Sequence, residues 1–528
     1  MRFRTLLPFL LTSLITIALL WMTQIPLGVD GEWNWDRIPF SAVEMIPGWI
    51  VSGIAFAVYL LLTLLALSRM PYSRWYELAV WLTGLTAAGC LWSLLLQDSP
   101  PGEYRLSKAA FVLYYKGSSG YFTQAQTEIS DASKFLSDYE AKMEQGDVLH
   151  EGTHPPGLPL FYHTLIRLSE NYPGLQSFLL DTQPASFEEA ADVIASMTSN
   201  SEHPLTPRDR AVLWLATLIT LTMSSLTIVP LFLLAQEFTS RTVSWQVAAF
   251  WPLIPATLIF QPKSDALYPV IAMLFLYLWV TACRRNNLIP AFLAGLLIWG
   301  GLFLTLAFLP VGACAVCFSM LQLWPRLTGA REAHTSGKAF LLTASSGLAG
   351  FCLPILTLAV VFDLNLLRVW FLNFQNHAGF YSEYTRTYWK WLLLNPLEIS
   401  LALGLPVSWM ILRSLCNRRR VASDREALPA HFRLTAFLLS CGIVLILLWL
   451  SGKNMGEAAR LWLIFLPWLL MMTIPYWQVI HHHHQALEKV PPGSFLKMQT
   501  VWIVALTAQA VVCVATVNRI TGFHFPPG

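Results

Sequence analysis

Charge is what this chain has least of. Asp, Glu, Lys and Arg make up 12% of 528 residues, about half of what a soluble chain needs to cover its surface. That excludes the several soluble domains that length alone would suggest. There is no basic stripe, and the net charge is only +3, which excludes nucleic acid as a partner. Cysteine is missing from residues 97–208. Cys90, Cys283, Cys314, Cys317, Cys352, Cys416, Cys441 and Cys513 all lie in or beside apolar runs. No disulfide framework is therefore implied, and the Cys314/Cys317 pair reads as packing. No small-residue cleavage site follows the first apolar run, which ends in Gln24-Ile25-Pro26-Leu27. It reads as a first span, not a signal peptide. The prolines and glycines show no period, so a repeat architecture is not indicated.

What is present is apolar, at 55% of the chain. The runs cover approximately 6–27, 48–68, 76–96, 211–236, 243–261, 267–283, 288–304, 306–324, 339–362, 393–415, 432–450, 461–480 and 499–519. They are close to the length that crosses a hydrocarbon core at 1.5 Å per residue. The expected fold class is an all-α polytopic membrane protein with about 13 transmembrane helices and interfacial helices between them. The stretch 288–324 is too long for one helix, and a tight turn near Ala307–Pro310 is expected to divide it.

Basic residues orient the spans. With the N-terminus cytoplasmic, alternate short loops carry Arg69 and Arg74; Arg241; Arg284 and Arg285; Arg326, Arg331 and Lys338; Arg413, Arg418–Arg420 and Arg425; and Lys489 and Lys497. The opposite short loops carry fewer. This positive-inside pattern places the long polar segment 97–208 and the C-terminus outside. Three regions follow: two spans with an acidic loop (1–75), a core containing the long segment (76–330), and a C-terminal set of spans (331–528) with external loops near 363–392 and 451–460. His481–His484 falls in a cytoplasmic loop; without companion cysteines or carboxylates it reads as a solvated stretch.

The external segment reads as short helices lying on the membrane: 105–115, then a turn at Gly117–Gly120, a helical stretch 123–143, an apolar helix 158–168, and 187–198 opened by Ser186 as a cap. Polar groups concentrate on this side. Gly152-Thr-His-Pro-Pro-Gly157 holds His154 rigidly ahead of two prolines, either as a structured turn or as a phosphate-binding or proton-transferring imidazole. Asp265, in Gln261-Pro-Lys-Ser-Asp-Ala-Leu-Tyr268, stands at the start of a span; a favourable N-terminal charge is the plainer alternative. Ser451-Gly-Lys-Asn-Met-Gly-Glu-Ala-Ala-Arg460 brings Lys453, Glu457 and Arg460 to a short loop. Such cations suit a lipid phosphate, and a solvated loop is the alternative. His377, Arg386 and Lys390 lie among aromatic rings suited to an interfacial belt or to stacking on sugars. Asp30-Gly-Glu-Trp-Asn-Trp-Asp36 reads as an interfacial anchor.

A span followed by an external loop ending in His-Pro-Pro, and later Pro-x-x-Asp-Ala-Leu at a span start, resembles the GT-C glycosyltransferases. The likeness is to the branch of protein O-mannosyltransferases and aminoarabinose transferases, and it covers 76–330. It implies transfer of a sugar from a polyprenyl-phosphate carrier to a glycan, lipid or protein acceptor, with inversion, outside the cytoplasmic membrane. A first-loop carboxylate would activate the acceptor. Basic residues, sometimes with a divalent metal ion, would stabilise the leaving phosphate. By this likeness Asp265 matches the family's second-loop acid and His154 opens the His-Pro-Pro element. The family's early acidic pair is absent: Gly117-Ser-Ser-Gly-Tyr-Phe122 stands in its place, and Asp98, Glu103, Asp131 and Asp138 are the nearest substitutes. The expected site therefore takes Asp131 or Asp138 with His154 for acid–base chemistry. Asp265, Lys453, Glu457, Arg460 and His377 would surround the donor phosphate. A transporter or flippase of lipid-linked glycans, or a non-catalytic scaffold of envelope assembly, stands as the alternative.

Overall fold

The computed structural model describes residues 3–327, 337–417, 428–485 and 494–523. Among these, nine helices are long and apolar enough to cross a membrane, and a tenth span arises if one bent pair is counted as one. The protein is a polytopic helical membrane protein with almost no strand. A two-stranded ribbon, β1 (Gly28–Val29) with β2 (Trp33–Asn34), follows the first helix, Phe3–Trp21.

The apolar runs and the helices differ at identifiable places. The run 243–261 is not one helix. Pro252 and Pro255 interrupt it, leaving Arg241–Ala248, the 3-10 turn Trp251–Leu253 and Ala256–Ile259, because proline removes a donor and clashes with the preceding turn. The run 288–324 does divide: Leu288–Leu304 ends at Thr305, a 3-10 turn spans Leu306–Phe308, and Leu309–Leu327 continues. The run 393–415 lies in a pair, Tyr388–Leu403 and Leu405–Cys416, bent by 112°. Gly404 makes that corner at φ +94°, and a Cβ there would lie 2.3 Å from Gln509 Nε2, so only glycine fits.

Breaking a helix at this depth exposes carbonyls that lipid cannot satisfy. One side chain answers both breaks: Gln509 Nε2 donates to Leu253 O at 3.0 Å and to Leu403 O at 2.9 Å. Elsewhere the spans pack by close approach, as helices in lipid do. Gly295 faces Gly347, where a Cβ would come within 2.0 Å of the Gly347 carbonyl.

The segment 97–208 departs from the expectation of separate helices lying on the membrane. Phe122, Tyr162, Leu165, Phe187 and Ile194 pack with Val212 and Trp214 into a core of its own, seated on the helix Pro207–Gln236. The expected helical stretch 123–143 is three pieces, Tyr121–Glu128, Ala132–Ser137 and Tyr139–Met143. Ser186 is not a cap; it donates to Asp98 Oδ1 at 2.7 Å, tying the helix Ala185–Thr198 to the end of the helix Trp75–Gln97.

This segment, the ribbon, the stretch 363–387 and the turns near 260–268 and 451–460 share one end of the molecule. Thr387 N–H and Trp391 Nε1 donate to Glu32, Arg37 bridges to Ile520, and Tyr381 OH donates to Lys453 O. At the other end, Arg284 pairs with Glu237 at 2.9 Å. His481, expected in a loop, lies in the helix Ile474–Gln485, with Nε2 2.9 Å from Gln246 Oε1. The remaining histidine side chains, 482–484, lie outside the described residues, as do Arg331, Arg418–Arg420, Arg425 and Lys489 of the orientation argument.

Candidate functional site

The His154 turn is pinned from three sides. Tyr139 OH donates to His154 O at 2.9 Å, and Asn373 Nδ2 donates to Gly152 O at 2.8 Å and to His154 O at 3.2 Å. Asn376 Nδ2 adds a second bond to Gly152 O at 3.0 Å. These amides come from the helix Leu366–Glu383, so the turn is fixed by a distant part of the chain and not by its prolines alone. The imidazole meets the Tyr121 ring edge-on at 5.5 Å.

Tyr121 leads into a charged cluster. Burial, then Tyr268 and Asp265, push its phenol well above the usual range. Lys263 is 4% exposed. Burial, followed by Arg460, pushes its ammonium down to about 7, against the opposing pull of Asp265 and Glu457. Burial alone would destabilise the Arg460 guanidinium, but Glu457 and Asp265, then the phenols of Tyr121 and Tyr268, outweigh it and hold the charge in place. Arg460 Nη2 is 2.6 Å from Glu457 Oε2, and its buried Nε has no hydrogen-bond partner among the described residues. Four stretches far apart in sequence thus meet: 121, 154, 263–268 and 457–460.

The 457–460 turn owes its shape to its neighbours. Glu457 holds a left-handed backbone, φ 55°, a conformation that costs about 1–2 kcal/mol for a residue with a Cβ. The stretch around it is held by Ala459 N–H donating to Glu398 Oε1 at 3.0 Å, Asn395 Nδ2 to Asn454 O at 2.8 Å, and Trp462 Nε1 to Asn454 Oδ1 at 3.1 Å. Tyr381 OH receives Met455 N–H at 3.0 Å while donating to Lys453 O. Glu398 and Asn395 lie on the helix Tyr388–Leu403, just before the corner at Gly404. The bent helix thereby sets where Arg460 stands.

Of the residues expected from sequence, Asp265, Glu457 and Arg460 come together, and His154 joins them through Tyr121. Lys453 and His377 stand at the rim. Lys453 Nζ lies 4.3 Å from the centre of the Phe374 ring; burial, then Lys453, push the His377 imidazole below its ordinary value. Asp131 and Asp138 are elsewhere. They line a cleft of about 220 Å³ with Glu128, Lys134, Tyr139 and Lys142, and Asp131 Oδ1 is occupied in accepting Ser133 N–H at 2.8 Å. Tyr139 separates this cleft from the His154 turn.

Lys263 is the residue that sequence reasoning missed: it stood in the stretch quoted for Asp265 without being assigned a role, although a lysine two positions before Asp265 at the head of a span was a signal. Tyr121 carried none. Glu398, inside an apolar run, was itself a signal, since ionisable residues within spans are costly. Glu151 was also passed over; it pairs with Lys116 at 3.1 Å and Lys142 at 3.6 Å.

Among the described residues no three His, Cys, Asp or Glu side chains gather as ligands for a metal ion. The two carboxylates of the cluster stand among Lys263 and Arg460, whose charges oppose a divalent cation. These residues do not fit the metal that the family resemblance suggests. A scan of known protein families finds no family model that matches the chain, and no curated protein matches it.

Proposed function

We propose that the chain is a membrane glycosyltransferase that moves a sugar from a polyprenyl-phosphate-linked donor to an acceptor at the external face of the cytoplasmic membrane. The observation that carries this reading is the meeting of Lys263, Asp265, Glu457 and Arg460, with Tyr121 and His154, at the junction between the spans and the packed polar segment. A lipid-linked donor has its tail in hydrocarbon and its phosphate at the surface, so its chemistry belongs at such a junction. Arg460, whose buried Nε is unused among the described residues, and Lys263 supply donors to a phosphate. Preorganised cations in a low-dielectric site stabilise the charge that develops on a leaving group far better than water does. Lys453 and His377, at the rim, meet the donor as it enters.

The helix breaks at 251–255 and at Gly404 favour one other reading, since transporters use discontinuous helices around a midplane site. The charged cluster sits at one end of the spans instead, next to the segment 97–208, and that weighs for surface chemistry. The test is transfer from radiolabelled polyprenyl-phosphate sugars by the purified protein, with Asp265→Asn as control. Transfer that the variant abolishes supports the enzyme. Failure across a panel of donors, with movement of a labelled lipid-linked glycan between leaflets of proteoliposomes, would establish the transporter. Failure of both would leave the scaffold.

A further inference from the structure

We infer that Asp265, and not an acid of the long polar segment, accepts the proton of the incoming acceptor, so that the net charge facing Lys263 and Arg460 stays constant as the leaving phosphate gains its second charge; this rests on the glycosyltransferase reading above.

Several carboxylates at this end of the molecule are already engaged. Asp131 caps the helix Ala132–Ser137 and, with Asp138, lines a cleft on the far side of Tyr139. Glu151 is held by Lys116 and Lys142, and Glu457 by Arg460. Asp209 is committed to Thr206 and Gln126, and Glu32 to Thr387 and Trp391. Asp265 is different. It is half-buried at the head of the span Ser264–Arg285 and acts electrostatically on Lys263, Arg460 and Tyr121. Its carboxylate is the one in the cluster not tied up in an ion pair shorter than 4 Å among the described residues. A base needs such a free oxygen, with a proton donor able to reach it.

The charges then explain why this position suits the step. Two cations and two carboxylates leave the cluster formally neutral when Lys263 is protonated. A polyprenyl-phosphate sugar is a phosphodiester with one negative charge. The acceptor hydroxyl oxygen forms a bond to the anomeric carbon, and the bond from that carbon to the phosphate oxygen breaks. The bonding pair stays on the phosphate, which becomes a monoester with a second negative charge. The acceptor's proton passes to Asp265, which loses its own charge. One negative charge thus leaves Asp265 as one appears on the phosphate, and the net charge facing the two cations is unchanged. A base in the Asp131/Asp138 cleft would leave Asp265 charged and facing the new dianion. A carboxylate beside a phosphate is otherwise hard to justify, because like charges in a poorly hydrated site repel strongly.

The experiment exploits azide, a nucleophile with no proton to give up. Purified full-length protein is supplied with donor and either a hydroxyl acceptor or sodium azide. For Asp265→Asn, transfer to the hydroxyl should fall about 100-fold or more, while glycosyl azide forms at a rate within about threefold of wild type. Azide transfer also certifies that the variant is folded. The same variant should bind short-chain polyprenyl phosphate, the dianionic product, at least about fivefold more tightly, since one opposing charge is gone. Loss of azide transfer, or weaker product binding, would overturn the assignment by making Asp265 a donor-binding or structural group. The split between hydroxyl and azide appearing instead in Asp131→Asn or Asp138→Asn would overturn it in favour of the long segment. If wild type transfers to neither nucleophile, the glycosyltransferase reading fails and this assignment with it.

Discussion

Two mixed-charge clusters lie on either side of the Tyr121–His154–Tyr139 wall, and they are built differently. Lys263, Asp265, Glu457 and Arg460 come from stretches that a membrane fold brings together; Lys263 is buried and the Arg460 side chain is 14% exposed. Lys116, Glu128, Lys142 and Glu151 come from within one polar segment, and the Lys116 side chain is 71% exposed. Lys142 bridges Glu128 and Glu151. Both clusters alternate sign, so composition alone cannot rank them. Burial can. Exposed ion pairs contribute about 0–1 kcal/mol and are screened by salt. Breaking a buried pair costs roughly 3–5 kcal/mol, because the surviving charge is stranded. A protein that keeps such charges in a chain with so few must hold them there by many contacts, and the bonds to the 451–460 stretch are those contacts.

The sharpest way to break the comparison is to remove one cation from each cluster. Arg460→Ala strands Glu457 and removes the proposed phosphate donor. Transfer should fall by about 100- to 1,000-fold, with a clear drop in melting temperature in detergent. An Arg460→Ala protein that melts and transfers like wild type would place the chemistry elsewhere. The next largest effect falls on the scaffold beneath the cluster. Glu398→Ala removes the acceptor for Ala459 N–H and should destabilise by about 1–3 kcal/mol. A loss of turnover of about tenfold should follow from misplacing Arg460. Glu398→Gln keeps an oxygen for that N–H and should recover most of both. Equal damage from the two variants would show that the carboxylate charge, and not the hydrogen bond, is what matters.

Lys263 sharpens the comparison through pH. Its ammonium is pushed down to about 7 by burial and by Arg460, against an ordinary value near 10.5. Between those limits the unfolded chain holds a proton that the folded protein has shed, so stability rises as pH climbs from about 7 toward 10. Below 7 the lysine is charged in both states and the full penalty remains. Binding of an anionic lipid phosphate wants the protonated form and runs the other way, weakening as pH rises above 7. Thermal melts of the free protein across this range, paired with binding of polyprenyl phosphate, should therefore slope in opposite directions. Lys263→Met should flatten both. Parallel slopes, or slopes that survive the substitution, would remove Lys263 from the phosphate site.

These contrasts also mark where the sequence was legible. Spans could be read because hydropathy in lipid follows from backbone satisfaction, and the division near Thr305 was visible as an excess of length. The corner at Gly404 was not, because its partner Gln509 lies in another span and the run 393–415 is apolar throughout. Asp265, Glu457 and Arg460 stood out as charges beside apolar runs. Lys263 looked identical to an orienting loop lysine until burial distinguished it. Tyr121 and the amides of Asn373 and Asn376 carry no local pattern at all; they act only through contacts made across the fold. The core of the 97–208 segment was missed for a related reason. Its helices are short, and their apolar faces meet residues 211–216 of a span whose own pattern had already been assigned to lipid.

The smallest expected effect completes the comparison. Lys142 holds two carboxylates, and a count of ion pairs would make it as important as Arg460. Glu128 is 39% exposed, however, and Glu151 keeps its pair with Lys116 when Lys142 is gone, so neither carboxylate is stranded. Lys142→Ala should shift stability by less than about 1 kcal/mol, with the shift shrinking further between low and high ionic strength. Arg460→Ala should remain damaging at every salt concentration. Melting both variants over a salt series measures the difference directly. If Lys142→Ala proves as severe as Arg460→Ala and is insensitive to salt, then the cluster around Glu151 is shielded when the protein sits in its bilayer. The Tyr121–His154–Tyr139 wall would then divide two buried sites, with the acceptor entering on the side of Glu128 and Glu151.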